Sequence, residues 1–129
     1  MRKANDASDT NHLLCHVLND DPKQCARFRF LVELAKSSSV QIQLFDLVLL
    51  EACWVLQSVL GVDRDGWCHI LNNLLQDPVF SFDSSSRVWK ALERYCRGRA
   101  DFADYLILGQ SEAIGAKLET FDKQLKKEM

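Results

Sequence analysis

The sequence predicts an α/β fold: a three-layer α/β/α domain with a central, mostly parallel sheet, built by residues 1–129 as a single domain. Three observations carry this expectation. Residues 40–45 alternate apolar and polar side chains with period two (Val40, Gln41, Ile42, Gln43, Leu44) before turning apolar at Phe45, the pattern of a strand. Residues 79–82 repeat it in brief as Val79, Phe80, Ser81 and Phe82. The stretches between have helical spacing, and short strands separated by helices imply parallel pairing through crossover connections.

Taken in order, the first strand belongs just before Asp9, within residues 3–8, although Ala4 and Ala7 are its only apolar residues. A helix over residues 11–19 carries Leu13, Leu14, Val17 and Leu18, and Asp20-Asp21-Pro22 ends it and starts another. That second helix, residues 22–36, shows Ala26, Phe30, Leu31 and Leu34 at helical intervals. After the strand at 40–45, Asp46 is placed to cap a helix running to about Leu60 and ended by Gly61. Residues 63–76 are amphipathic, with Trp67, Ile70, Leu71, Leu74 and Leu75 on one side. Asp77-Pro78 breaks this helix before the strand at 79–82. A helix over 84–97 ends at Gly98, and the next begins near Asp101 and stops near Gly115. Residues 116–119 read as a brief strand, and residues 121–127 as a last helical turn or two.

Composition sets bounds on function. Hydrophobic residues are 47% and charged residues 26% of the 129, ordinary usage for a folded domain that buries a core. A net charge of −2 argues against gripping nucleic acid by bulk charge, but is compatible with an acidic metal pocket. Five scattered cysteines with no Cys-x-x-Cys spacing read as reduced thiols, not a zinc ribbon or a disulfide framework. No apolar run follows Met1-Arg2-Lys3, and residues 47–60 are interrupted by Glu51 and Gln57. The expectation is therefore a soluble cytoplasmic protein with neither signal peptide nor membrane span. No Gly-rich phosphate loop of either common spacing is present.

In a parallel α/β sheet, ligands collect at the carboxyl ends of the strands. Asp9, Glu51, Asp104 and Asp122 fall at or near such junctions. Carboxylates brought to about 5 Å at an effective dielectric near 20 repel by roughly 3 kcal/mol per pair. A convergent set therefore needs protons or a cation, and all-oxygen ligation favours Mg2+ or Mn2+. Such a metal lowers the pKa of bound water and polarises a phosphodiester. Each acid also has a structural reading: Asp101 and Asp104 as helix N-cap and first-turn acid, and Asp122 beside a capping Thr120. Glu51 is the harder one to dismiss, because apolar neighbours on a largely buried helix leave a carboxylate in need of a partner.

Four segments in order then resemble one family. Asp9-Thr10-Asn11-His12-Leu13-Leu14, followed by Leu18-Asn19-Asp20-Asp21-Pro22, resembles the opening of PIN-domain toxins of the VapC type. Leu50-Glu51-Ala52-Cys53-Trp54-Val55-Leu56 is similar to their second motif, Gly98-Arg99-Ala100-Asp101-Phe102-Ala103-Asp104 to the third, and Thr120-Phe121-Asp122-Lys123 to the fourth. The resemblance spans residues 9–125. It implies a PIN-like fold and an Mg2+- or Mn2+-dependent endoribonuclease whose acidic set is Asp9, Glu51, Asp104 and Asp122, with Asp101 as a neighbouring acid. It implies that Thr10 and Asn11 orient the first carboxylate and that Thr120 supports water or phosphate. It also implies an RNA substrate, a homodimer, and a cognate antitoxin whose tail covers the acidic groove. The chain departs from the family at Asn5-Asp6-Ala7-Ser8, where an apolar strand is expected. The alternative is therefore a weak or inactive PIN domain that binds an antitoxin without cleaving RNA.

Other features compete less strongly. His12, Cys15 and His16 share a helix face but lack a fourth ligand for zinc. Arg87, Arg94, Arg97 and Arg99 suit either phosphate contacts or solvated helix charge. Trp54, Trp67, Trp89 and Phe102 read as core residues.

Overall fold

β2 (Gln41–Leu44) is the middle strand of a three-stranded sheet in a computed structural model that describes residues 4–18 and 22–129. It pairs in parallel with β1 (Ala4–Ala7) on one side and β3 (Phe80–Phe82) on the other. Helices α1 (Thr10–Leu18) and α2 (Pro22–Ser38) connect β1 to β2. Helices α3 (Asp46–Ser58) and α4 (Arg64–Gln76) connect β2 to β3. Helices α5 (Ser85–Arg97), α6 (Phe102–Ala113) and α7 (Lys123–Glu128) complete the chain. The predicted α/β class with parallel strands and crossover helices is what the described residues adopt. The turn expected at Asp20-Asp21 lies outside them.

The period-two pattern of β2 sorts its side chains between two environments. Ile42 and Leu44 are buried on one face, beside Phe80 of β3. Gln41 and Gln43 are half-buried on the other face and spend their amides on neighbours. Gln41 Nε2 donates to the Pro78 and Phe80 carbonyls at 3.0 and 3.3 Å, and Ser81 Oγ donates to Gln43 Oε1 at 2.8 Å. Half-buried amides are tolerated because they are bonded. β1 forms despite its polar sequence, with an irregularity in register between Ala4 and Asp6. Ser8 continues the pairing, donating its amide to Gln43 O at 3.0 Å.

The core lies on the apolar face of the sheet, where Leu13, Leu49, Leu56, Trp67, Leu71 and Tyr95 are fully or almost fully buried. Several expectations need correction here. On α2 the buried stripe is Cys25, Phe28, Val32 and Ala35, whereas Ala26, Phe30 and Leu34 are exposed. The 3-4-3 spacing of the first set keeps one face inward. Trp67 and Phe102 are core residues, packed edge to face at 5.4 Å, but Trp54 is 64% and Trp89 37% exposed. Residues 116–119 form no strand: Lys117 and Glu119 are both exposed, and only Leu118 packs against the core. The segment alternates Ala116, Lys117, Leu118 and Glu119 but has no β-branched side chain, and alternation over four residues does not hold it extended without a neighbouring strand.

Helix ends follow local chemistry closely. Asp63 Oδ1 accepts from Gly66 N at 2.7 Å and Ser84 Oγ from Arg87 N at 3.3 Å, capping α4 and α5. Gly61, at φ +70°, supplies the left-handed turn beyond α3. Asp46 differs from expectation. It is the first helical residue of α3, and its amide is capped by Asp83 Oδ2 at 2.8 Å from the end of β3. Its own buried carboxylate accepts from Gln110 Nε2 at 2.9 Å and lies 3.8 Å from Arg87.

The cysteines also depart from the expected set of reduced thiols. Cys15 of α1 and Cys25 of α2 are joined as a disulfide, with Cα atoms 5.4 Å apart. The α1–α2 hairpin brings their backbones into the range a disulfide requires. Cys53, Cys68 and Cys96 are free.

Arg64, at the start of α4, joins this helix to the segment leading into α6. One guanidinium nitrogen donates to Ala100 O at 2.8 Å, the other to Tyr95 O at 2.7 Å and Gly98 O at 3.1 Å. The cation also sits 3.8 Å from the centre of the Tyr95 ring. Hydrogen bonds from a charged donor each contribute roughly 1.5–3 kcal/mol, and an orphaned carbonyl costs more than an absent pair. Replacing Arg64 with methionine is therefore expected to lower stability by at least about 2 kcal/mol in urea unfolding, and lysine is expected to recover only a minor part, lacking the planar fork.

Candidate functional site

Three of the four predicted acids stand at helix N-termini. Asp9 precedes α1 and accepts from His12 N through Oδ1 at 2.8 Å, with the His12 ring 3.4 Å away. Asp122 caps α7, its Oδ1 accepting from Leu125 N at 2.8 Å. Asp104 lies in the first turn of α6 and accepts from Asp101 N through Oδ2 at 3.1 Å. The N-terminal amides and dipole of a helix favour a carboxylate in each place. Each of these bonds engages one of two carboxylate oxygens, so capping leaves the other available to a ligand.

Glu51 is not the buried carboxylate that its apolar neighbours suggest. It is exposed, because α3 turns Leu49, Ala52, Cys53 and Leu56 inward and Glu51 outward with Leu47 and Trp54. Its Oε1 accepts from Thr10 Oγ1 at 3.1 Å. This bond joins the first two predicted motifs across 41 positions of sequence. Thr10 thus orients Glu51, a different carboxylate from the one expected. Asn11 is exposed.

The third and fourth motifs also meet. The Asp104 carboxyl is pushed above its usual range first by burial, and further by the negative charges of Asp122 and Asp101. Its bond to the Asp101 backbone works the other way without offsetting these effects. Asp101 reaches α3 electrostatically. Together with burial, which is the larger cause, its charge raises the Cys53 thiol to about 12. Between α3 and the start of α6 runs an open cleft of about 270 Å³, lined by Leu50, Trp54, Gln57, Asp101 and Phe102 among others. Thr120 Oγ1 accepts from Asp122 N at 3.1 Å, holding the approach to that acid.

The structure therefore arranges the predicted acids in two sets, Asp9 with Thr10 and Glu51, and Asp104 with Asp101 and Asp122. Among the described residues, no three His, Cys, Asp or Glu side chains lie together as a group able to hold a metal ion. The donor chemistry would suit a hard cation, since every candidate is a carboxylate.

The loop that presents Asp101 and Asp104 is held from both sides. Arg64 takes its carbonyls, and Ala100 N donates to the Tyr105 hydroxyl at 3.0 Å. That hydroxyl donates onward to Glu128 Oε1 of α7 at 2.7 Å. A Cβ at Gly98 would run into the Tyr105 hydroxyl and the Glu128 carboxylate, so glycine is required there by close approach.

Sequence reasoning took Asp46 only as a helix cap and did not single out Asp83; the two follow β2 and β3 at the carboxyl edge of the sheet and are joined by the Asp46 amide. The signal was the same one used for Asp9, an acid directly after a strand. The other candidates resolve differently. His16 is lodged between Phe28 and Phe80 with its pKa lowered by burial, and Cys15 is disulfide-bonded, so the His12, Cys15 and His16 set is no metal site. Arg94 forms a two-point bond to Glu112 at 2.8 and 2.9 Å, while Arg97 and Arg99 are exposed. No helix among the described residues is long and apolar enough to cross a membrane.

The raised Asp104 carboxyl has a definite pH consequence. A group whose folded pKa lies above its unfolded value contributes stability below the unfolded pKa and loses it as pH rises through the folded pKa. Asp104→Asn should therefore narrow the stability deficit at pH 7 relative to acid conditions, measured by thermal melting without divalent ions.

Comparison of the chain with protein-family models, with curated proteins and with solved structures found no match.

Proposed function

We propose that this protein is a cytoplasmic, metal-dependent endoribonuclease with a three-layer PIN-like fold, acting as the toxin of a toxin–antitoxin pair. The observation that carries the metal-dependent part is the raised carboxyl of Asp104 beside Asp122 and Asp101. Burial is the larger cause of that shift, and the charge of Asp122 at the start of α7 adds to it, a cost to the charged form that a divalent cation would relieve. The Thr10–Glu51 bond supports the same reading by tying the first motif to the second. The choice of RNA as substrate, of a homodimer and of an antitoxin partner rests on the sequence resemblance of the four motifs.

In this reading Asp9, Glu51, Asp104 and Asp122 hold Mg2+ or Mn2+, which when bound lowers the pKa of water and polarises the scissile phosphate. Thr10 fixes the Glu51 carboxylate by its hydroxyl. Asp101 adds negative charge to the Asp104 side of the cleft, and Thr120 holds the backbone before Asp122. The Arg64 and Tyr105–Glu128 bonds keep the 98–101 loop, and with it Asp104, in place during turnover. Site geometry held by such supporting bonds is what hydrolysis of a phosphodiester demands.

A second reading, an inactive PIN domain that only binds an antitoxin, is favoured by two observations. β1 is polar and irregular beside Asp9, and the acids stand in two sets with no three-ligand group among the described residues.

Purified protein free of any partner should cleave single-stranded RNA with Mg2+ or Mn2+ and not with EDTA. Asp104→Asn should reduce the rate by at least about 100-fold, beyond the 10- to 100-fold typical of residues that act through a ligand. Folded protein that cuts no RNA across a broad panel, with no heat of Mg2+ binding in calorimetry, would install the binding-module reading instead.

A further inference from the structure

Cys68 and Cys96 lie away from the acidic set, on the opposed faces of α4 and α5. Both line one cavity of about 450 Å³, together with His69, Trp89, Leu92 and Glu93. The two cysteines face each other across this cavity, where α4 packs against α5. Cys68 is half-buried and Cys96 is exposed, so one sulfur of the pair is open to solvent while the other waits beside it. Two cysteines 28 positions apart come together because the start of α4 packs against the end of α5, where Arg64 also bonds the Tyr95 and Gly98 carbonyls.

We infer that Cys68 and Cys96 form a dithiol modification site that takes up one equivalent of a small peroxide as an intramolecular disulfide across α4 and α5. Access and contact decide the order of events. The exposed Cys96 sulfur, as thiolate, attacks one oxygen of hydrogen peroxide; the O–O bond breaks and the departing hydroxide leaves as water after taking a proton. Cys96 is then a sulfenic acid. The Cys68 sulfur, deprotonated as it attacks, displaces the sulfenic oxygen, which leaves as a second water, and the S–S bond forms. The sulfurs lose two electrons in all and peroxide gains them, so no other oxidant enters. Cys68 is the poorer first nucleophile: burial, and next the neighbouring Cys96, push its thiol up to about 12. This suits a resolving thiol that reacts only with a neighbour already activated.

The remaining cysteines serve as internal standards. Cys53 is buried with its thiol raised to about 12, so it stays reduced under the same exposure. Cys15 and Cys25 are already joined.

The experiment is exposure of the whole folded protein to a small excess of hydrogen peroxide, followed by alkylation, intact mass measurement and peptide mapping. Free thiols are expected to fall from the three of Cys53, Cys68 and Cys96 to one, with a mass loss of about 2 Da for the two hydrogens removed. The new linked peptide should contain Cys68 and Cys96, and a Cys68→Ser or Cys96→Ser protein, shown folded by circular dichroism, should lack it. Three outcomes overturn the inference. Both thiols stay titratable under a dose that closes free dithiothreitol; Cys96 gains two or three oxygens while Cys68 remains a thiol; or Cys68 links to a cysteine other than Cys96.

Discussion

The guanidinium of Arg64 is the contact on which the acid-bearing half of the molecule depends. It collects the carbonyls of Tyr95, Gly98 and Ala100 at the point where α5 ends and the chain turns toward α6. Carbonyls at the end of a helix have no partner within it, and a planar cation with several fixed donors meets three of them at once. The Tyr95 ring closes the other face of the same cation. Tyr105 and Glu128 then hold the loop from the opposite side, leaving Gly98 no room for a side chain. Through this set of bonds α4, α5, α6 and α7 become one unit, and the Asp101–Asp104 segment has a fixed place in it.

The acids show how a structural and a functional reading coexist in the same residues. Asp9, Asp104 and Asp122 all satisfy amides at helix starts, which accounts for the presence of a carboxylate at each position. Capping also accounts for Asp101 beside Asp104, which form a capping box at the start of α6, but not for the charge of Asp122 near them. Burial, and after it the charges of Asp122 and Asp101, raise the Asp104 carboxyl at a cost to its charged form, and a cap alone is served as well by serine or asparagine, which carry no charge. Glu51 tells the same story from the other side. It is exposed and caps nothing, yet a threonine from the first helix is bonded to it.

Helix existence and most helix ends were legible in the residues themselves. Asp63, Ser84 and Gly61 act where their chemistry placed them, since capping and a left-handed turn involve only a few neighbouring residues. The parallel strands β2 and β3 were legible for a similar reason, because period-two alternation is local. Reading failed where the answer depended on what a side chain meets. Ala26, Phe30 and Leu34 repeat with helical spacing but face out, while Cys25, Phe28, Val32 and Ala35 face in. Residues 116–119 lacked a neighbour to pair with, and Asp46 gained a cap from Asp83, a residue 37 positions away.

The sequence by itself determined the order of the helices and of β2 and β3, the α/β class, and that Asp9, Asp104 and Asp122 occupy helix starts, because each of these is set by interactions a few residues long. Tertiary structure alone decided that Glu51 is open to solvent and held by Thr10, that Asp104 is crowded by Asp122, and that Cys15 meets Cys25 and Cys68 meets Cys96. Those are facts of proximity between segments distant in the chain. Burial of a shared core brings such segments together, and no local spacing encodes the distance between them.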